Sequence, residues 1–82
     1  MFPIINEVEP LADFKLKLSF KSGKKTIYDV MPLMNRFDAF KPLLTIKGLF
    51  ENVKNERYGI SWNDDIDIDS SELLVNGTAC RD

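Results

Sequence analysis

Histidine is absent from this chain, and cysteine occurs once, at Cys80. Without histidine there is no ready general base near neutral pH, no imidazole for zinc or haem, and no Ser/His or Cys/His nucleophile pair. A single cysteine forms no internal disulfide, and this one is expected to be a fraying thiol in a reducing compartment. Long apolar runs are missing too: none approaches the roughly 20 residues that span a bilayer. The opening Met-Phe-Pro-Ile-Ile-Asn-Glu has no basic region leading into an apolar one, so no signal peptide is read. Cytoplasm is the expected location, with no membrane contact. Arginine, which forks onto phosphate and reads bases, is scarce: Arg36, Arg57 and Arg81 are the three. There is no internal repeat.

What is present describes one small domain. At 82 residues, with 44% hydrophobic and 29% charged residues, the chain has an ordinary globular composition and a thin core. The formal charge of −2 conceals a bipolar chain. From Asp13 to Gly48 eight basic residues face three acidic ones; from Leu49 to Asp82 three basic residues face eight acidic ones. Such a division suits internal complementarity or head-to-tail contacts.

The organising stretch runs from Phe14 to Val30. Phe14, Leu16, Leu18 and Phe20 alternate with Lys15, Lys17, Ser19 and Lys21, the period-two signal of a half-buried strand. A three-residue loop, Lys21-Ser22-Gly23, pairs Leu18 with Thr26 and Leu16 with Tyr28, and puts Gly23 at a left-handed position. A two-residue loop would turn Lys25 and Asp29 into the core, which argues against it. In the favoured register Lys15 falls opposite Asp29 on the outer face.

A short strand at Ile4–Val8 is expected to pair with this hairpin as an edge and to end before Pro10, which has no N–H. Ile5 would join Ile27 on the outer face. Met31–Asn35 reads as one helical turn with Pro32 near its start. Arg36–Leu44 has helical spacing, limited by Pro42 to a turn or two, and Thr45 is placed to cap a further short helix weakened by Gly48. Glu51–Lys54 and Tyr58–Trp62 then read as a second hairpin, with Tyr58, Ile60 and Trp62 on one face. After a turn at Asn63-Asp64-Asp65 comes Ile66–Ile68, and Asp69 or Ser70 caps a last helix that closes at Asn76-Gly77. The fold class is α+β: a small two-layer domain, an antiparallel meander with short helices on one face.

Two polar regions are candidates for function. The acidic run from Asn63 to Glu72 has oxygen ligands at alternate positions, as in a calcium loop. Counted from Asn63, however, the sixth and twelfth positions are Ile68 and Leu74; from Asp65 they are Ser70 and Asn76, so the required glycine and glutamate are missing. Asp65 and Asp67 make a carboxylate pair with no accompanying oxyanion donor. A solvated acidic edge that caps a helix is the better reading, and no cofactor or metal is expected. The other region is basic. Lys15, Lys17, Lys21 and Lys25 project from the outer sheet face with Lys24 at the turn, a stripe suited to phosphates or simply to keeping a sheet face soluble. Trp62 is expected in the core, the alternative being an exposed anchor for a partner.

Taken in order, Pro10-Leu11, Asp13-Phe14-Lys15-Leu16, Phe20-Lys21-Ser22-Gly23-Lys24 and Tyr28-Asp29-Val30-Met31-Pro32-Leu33 resemble the small bacterial family catalogued as domain of unknown function 2442. The likeness continues through Phe37, Leu43, Phe50-Glu51-Asn52-Val53, Ile60-Ser61-Trp62-Asn63, Asp67-Ile68 and Ser71-Glu72-Leu73, covering about residues 4–75. Asn63 and Ser71 stand where the family has proline, and Asp64-Asp65 replace an Asn-Gly turn. The resemblance implies an α+β domain with no established activity, often encoded beside a second small protein in a toxin–antitoxin-like arrangement.

A non-enzymatic interaction module is therefore expected, with a protein partner or a homodimer. Its candidate contact residues are Lys15, Lys17, Lys21, Lys24, Lys25, Trp62, Asn63, Asp65 and Asp67. The alternative is a nucleic-acid-associated domain that uses the lysine face.

Overall fold

A computed structural model describes residues 2–80; Arg81, counted above among the arginines, lies outside them. The expected hairpin is there. Strand β2 (Lys15–Phe20) pairs antiparallel with β3 (Lys25–Asp29), Leu16 opposite Tyr28, Leu18 opposite Thr26 and Lys15 opposite Asp29. The loop is the three-residue one: Phe20 N–H donates to Lys24 O at 2.8 Å, and Gly23 has φ +97°. Leu16, Leu18, Phe20 and Tyr28 are buried on one face while Lys15 and Lys25 stay exposed on the other.

Strand β1 (Ile5–Leu11) is longer than expected and carries Pro10 within it, opposite Leu16. An edge strand tolerates proline because a missing N–H on its open side removes no ladder bond. Ile5 does not join the outer face: a register shift between Ile5 and Glu7 turns it into the core, where it is 2% exposed. The edge is also less open than expected, since Ile5 N–H donates to Arg57 O at 2.8 Å and Asn55 Nδ2 donates to Ile5 O at 2.9 Å. Between β1 and β2, Asp13 and Phe14 both take left-handed backbone, φ 62° and 59°. That conformation costs a bulky residue energy. The Phe14 ring is held there edge-on to Phe50, centroids 5.2 Å apart.

Asp29 ends β3 and its Oδ1 accepts the Met31 N–H at 3.0 Å, starting helix α1 (Met31–Arg36). Pro32 occupies its first turn as expected, and Pro42 opens α2 (Pro42–Thr45). Thr45 closes α2 and caps nothing beyond it; its hydroxyl reaches back to Lys41 O. A 3₁₀ turn at Phe50–Asn52 replaces most of the expected first arm of the second hairpin, leaving β4 as Lys54–Asn55 only.

Strand β5 (Gly59–Asn63) pairs with β4 and with β6 (Ile66–Asp69), so the strands divide between two antiparallel sheets. Helix α3 (Ser70–Val75) follows, with Asp69 Oδ1 accepting the Glu72 N–H at 2.8 Å as its N-cap. A strand not expected from the sequence, β7 (Thr78–Ala79), then pairs with β3 and completes the order β1-β2-β3-β7. Cys80, expected to fray, donates its N–H to Lys25 O at 2.9 Å, next to the β3–β7 pairing.

One core joins both sheets and the helices. Leu16, Leu18 and Val30 meet Ile60, Ile66 and Leu73, with Met34, Leu43 and Phe50 supplied by the helical stretch. Full burial of side chains of this size contributes about 1.5–3 kcal/mol each. Among the described residues no helix is long and apolar enough to cross a membrane.

Candidate functional site

The alternation that buries Leu16 and Leu18 turns Lys15, Lys17 and Ser19 outward, but it does not give a lysine stripe. In the ladder Lys15 stands opposite Asp29 and Leu11, Lys17 opposite Glu9 and Ile27, and Ser19 opposite Glu7 and Lys25. Three lysines thus share the outer face with three carboxylates. Lys21 and Lys24 lie at the turn and are exposed, beyond the reach of the ladder. The candidate basic residues therefore fall into a mixed-charge sheet face and a small basic tip.

The acidic candidates separate as well. Trp62 is only 4% exposed, its ring stacks on Phe50 at 5.9 Å, and its Nε1–H donates to Phe50 O at 2.9 Å. It packs in the core as expected, and that burial takes it off the surface as a contact residue. Asn63 Oδ1 accepts the N–H groups of Asp65 (2.8 Å) and Ile66 (3.0 Å), which makes it the residue that shapes the β5–β6 turn. Asp65 is exposed on that turn, away from the feature that Asn63 and Asp67 share.

That feature is a groove of about 750 Å³. Its apolar lining comes from Tyr28 of β3, Leu33 of α1, Phe40, and Tyr58 just ahead of β5. Among the described residues its charged lining is Glu56, Asp64, Asp67, Asp69 and Glu72, with no basic residue. Tyr58 was expected to alternate inward with Ile60 and Trp62, yet it is 53% exposed. Arg57 is the cause: its φ of 77° and the Asn55 Oδ1 that accepts its N–H at 2.8 Å turn the chain two residues before β5 begins. Gly59 forms part of the wall, where an added Cβ would stand 2.7 Å from Ile68 O.

A hydrogen-bonded network fixes one end. Tyr28 O–H donates to Glu72 Oε2 at 2.8 Å, and Asn76 Nδ2 donates to Glu72 Oε1 at 2.8 Å. Burial holds the Tyr28 phenol well above its usual range, and the hydrogen bond and charge of Glu72 add to that. Thr26 Oγ1 donates to Leu73 O at 3.2 Å and ties α3 to the first sheet beside it. Neighbouring carboxylates in such a setting favour a cation, and the aromatic faces among them suit a guanidinium or ammonium as well.

Of the candidate contact residues named from the sequence, Asn63 and Asp67 line this groove, and its aromatic half was not among them. Tyr28 and Phe40 lie far from Asp67 in the chain and come to it only through the packing of β3 and the helical stretch on the second sheet. Glu56, Asp64, Asp69 and Glu72 were visible as charges but carried no sign of facing a common space.

The family described as protein of unknown function (DUF2442) matches residues 5–79, and the chain belongs to it. The match reaches past the helix to β7, further than the motifs quoted above. No curated protein and no solved structure matches the chain.

Proposed function

We propose that this member of the family is a non-catalytic interaction module acting in the bacterial cytoplasm, the regulatory or antitoxin-like member of a two-protein pair. Its groove takes a basic, aromatic-bearing segment of a protein partner. The observation that carries this reading is the groove's charge: five carboxylates of one sign set among Tyr28, Leu33, Phe40 and Tyr58. An apolar floor supplies contact area, and unopposed charge supplies selection and steering. The two-protein setting rests on what the family resemblance implies.

The nucleic-acid reading keeps the basic tip, Lys21 and Lys24, with Lys25 next to it at the start of β3. Against it stand Glu7, Glu9 and Asp29, which interrupt the lysine face and would repel a phosphate backbone laid along it.

Amide shift mapping by NMR tests the choice, with a synthetic peptide alternating arginine and phenylalanine as one probe and a short DNA duplex as the other. The peptide is expected to move Tyr58, Gly59, Ser61 and Asp67, to lose affinity as salt rises, and to lose it again in Glu56→Lys with Asp67→Lys. DNA-induced shifts centred on Lys21–Lys25 at physiological salt, with no peptide response at the groove, would reverse the order of the two readings.

A further inference from the structure

A basic, aromatic knob stands at the rim of the acidic groove. The Arg36 guanidinium lies 5.7 Å from the centroid of the Phe37 ring. That ring is 6.4 Å from Phe40, which lines the groove. Phe37 is nevertheless 47% exposed. Further along the same stretch Leu44 and Ile46 are 53% and 54% exposed. Along the sequence Arg36, Lys41 and Lys47 alternate with these apolar residues, and Asp38, paired with Lys41 at 3.7 Å, is the one acid between them. The segment thus has the composition that the groove calls for.

We infer that the occupant of the groove is this segment from a second copy of the chain, in a two-fold dimer where each copy's Arg36–Phe37 knob enters the other's groove. The inference rests on the groove reading above and names its partner. A two-fold contact uses one surface patch on both molecules, so knob and groove must lie side by side, and Phe40 is the residue that joins them. Arginine forks onto carboxylates in a way that lysine does not, and an aromatic side chain seated in a pocket is the usual anchor of such contacts. The opposite signs of knob and groove also fix the pairing, since groove against groove would set carboxylates together.

Sedimentation equilibrium of the whole chain, from low to high micromolar concentration at low and high salt, reads the outcome. The mass is expected to rise from monomer to dimer with concentration, and less so at high salt. Phe37→Asp should weaken the dimer by about tenfold or more, with thermal unfolding of the monomer little changed because Phe37 is already half exposed. Asp67→Arg should weaken it too, and joining it with Arg36→Glu should recover much of the loss, which a folding defect would not allow. A monomer mass throughout overturns the inference, and so does a dimer indifferent to Phe37→Asp. These failures are separable from failure of the groove itself. A monomeric chain that still binds the arginine–phenylalanine peptide at Tyr58 and Asp67 keeps the groove as a docking site and loses only the second copy as its occupant.

Discussion

The outer face of the first sheet and the groove beside the second are both rich in charge, but they are built in opposite ways. On the sheet face, antiparallel pairing brings Glu7, Glu9 and Asp29 among Lys15, Lys17 and Lys25, and the charges cancel within the ladder. In the groove, Glu56, Asp64, Asp67, Asp69 and Glu72 converge from the end of β4 through to α3, and no described residue of opposite sign lines the space. A face made by strand register mixes what the sequence separates. A space made where a loop, two strands and a helix meet can collect a single sign. The first arrangement favours solubility and edge protection; the second holds a field that a partner can neutralise.

The comparison breaks most severely at Trp62, whose ring backs the second sheet from inside. Trp62→Ala removes the stack on Phe50 and leaves the Phe50 carbonyl without its donor. A loss of about 3–5 kcal/mol is expected, measured as a lowered urea midpoint with an unchanged slope. Gly59→Ala acts on the groove wall itself. The new methyl would press on the Ile68 carbonyl, which is backbone and yields little, so a cost of about 1–3 kcal/mol and a shift in Asp67 and Asp69 amide signals are expected. Retention of wild-type stability and amide shifts would mean that β5 and β6 separate without strain.

Tyr28→Phe cuts the tie between the first sheet and Glu72, for about 1–2 kcal/mol. It also carries a pH signature. The folded state holds the phenol protonated beyond the pH at which the unfolded chain releases the proton, about 10. The stabilisation is therefore complete below about pH 10 and is lost as the pH rises above that value toward the folded-state range. The difference in stability between wild type and Tyr28→Phe should be flat below pH 10 and shrink above it. A difference that stays constant to higher pH would show that Tyr28 titrates alike in both states.

The same contrast explains what could be read from the sequence. The Phe14–Val30 hairpin was legible to the residue because alternation, glycine position and the cost of burying Lys25 and Asp29 all pointed to one register. The start of the last helix was legible to within one residue, Asp69 or Ser70, because capping is local; the cap is Asp69. Pro10 misled, since proline stops a ladder only where its nitrogen faces a neighbour, and edge position is a property of the sheet. Tyr58 misled because the left-handed Arg57 breaks the alternation one residue early, and no glycine marks the place. Strand β7 gave no signal: two residues, Thr78 and Ala79, pair only because β3 is already there. The groove was half legible. Its carboxylates stand together in the sequence, whereas Tyr28 and Phe40 reach it through tertiary packing alone.

The smallest expected effect bears most directly on the two ways of arranging charge. Lys15 stands opposite Asp29, a cross-strand pair of the kind worth about 0.2–1 kcal/mol. Lys15→Gln removes one partner and leaves Asp29 free to hold the Met31 N–H, so stability should fall by no more than that amount. Asp67 has Ser61 opposite it in its ladder and only acidic charges along its groove. Asp67→Asn should therefore relieve repulsion and raise stability slightly, the opposite sign for the same kind of neutralisation. Both changes are electrostatic and near the surface, so both should fade at about 1 M salt, where the screening length is about 3 Å. Urea midpoints of the two variants at low and high salt give four numbers. Opposite signs that converge on wild type with salt would establish the contrast; a destabilising Asp67→Asn that ignores salt would show that the groove's carboxylates are held by local hydrogen bonds and exert no common field.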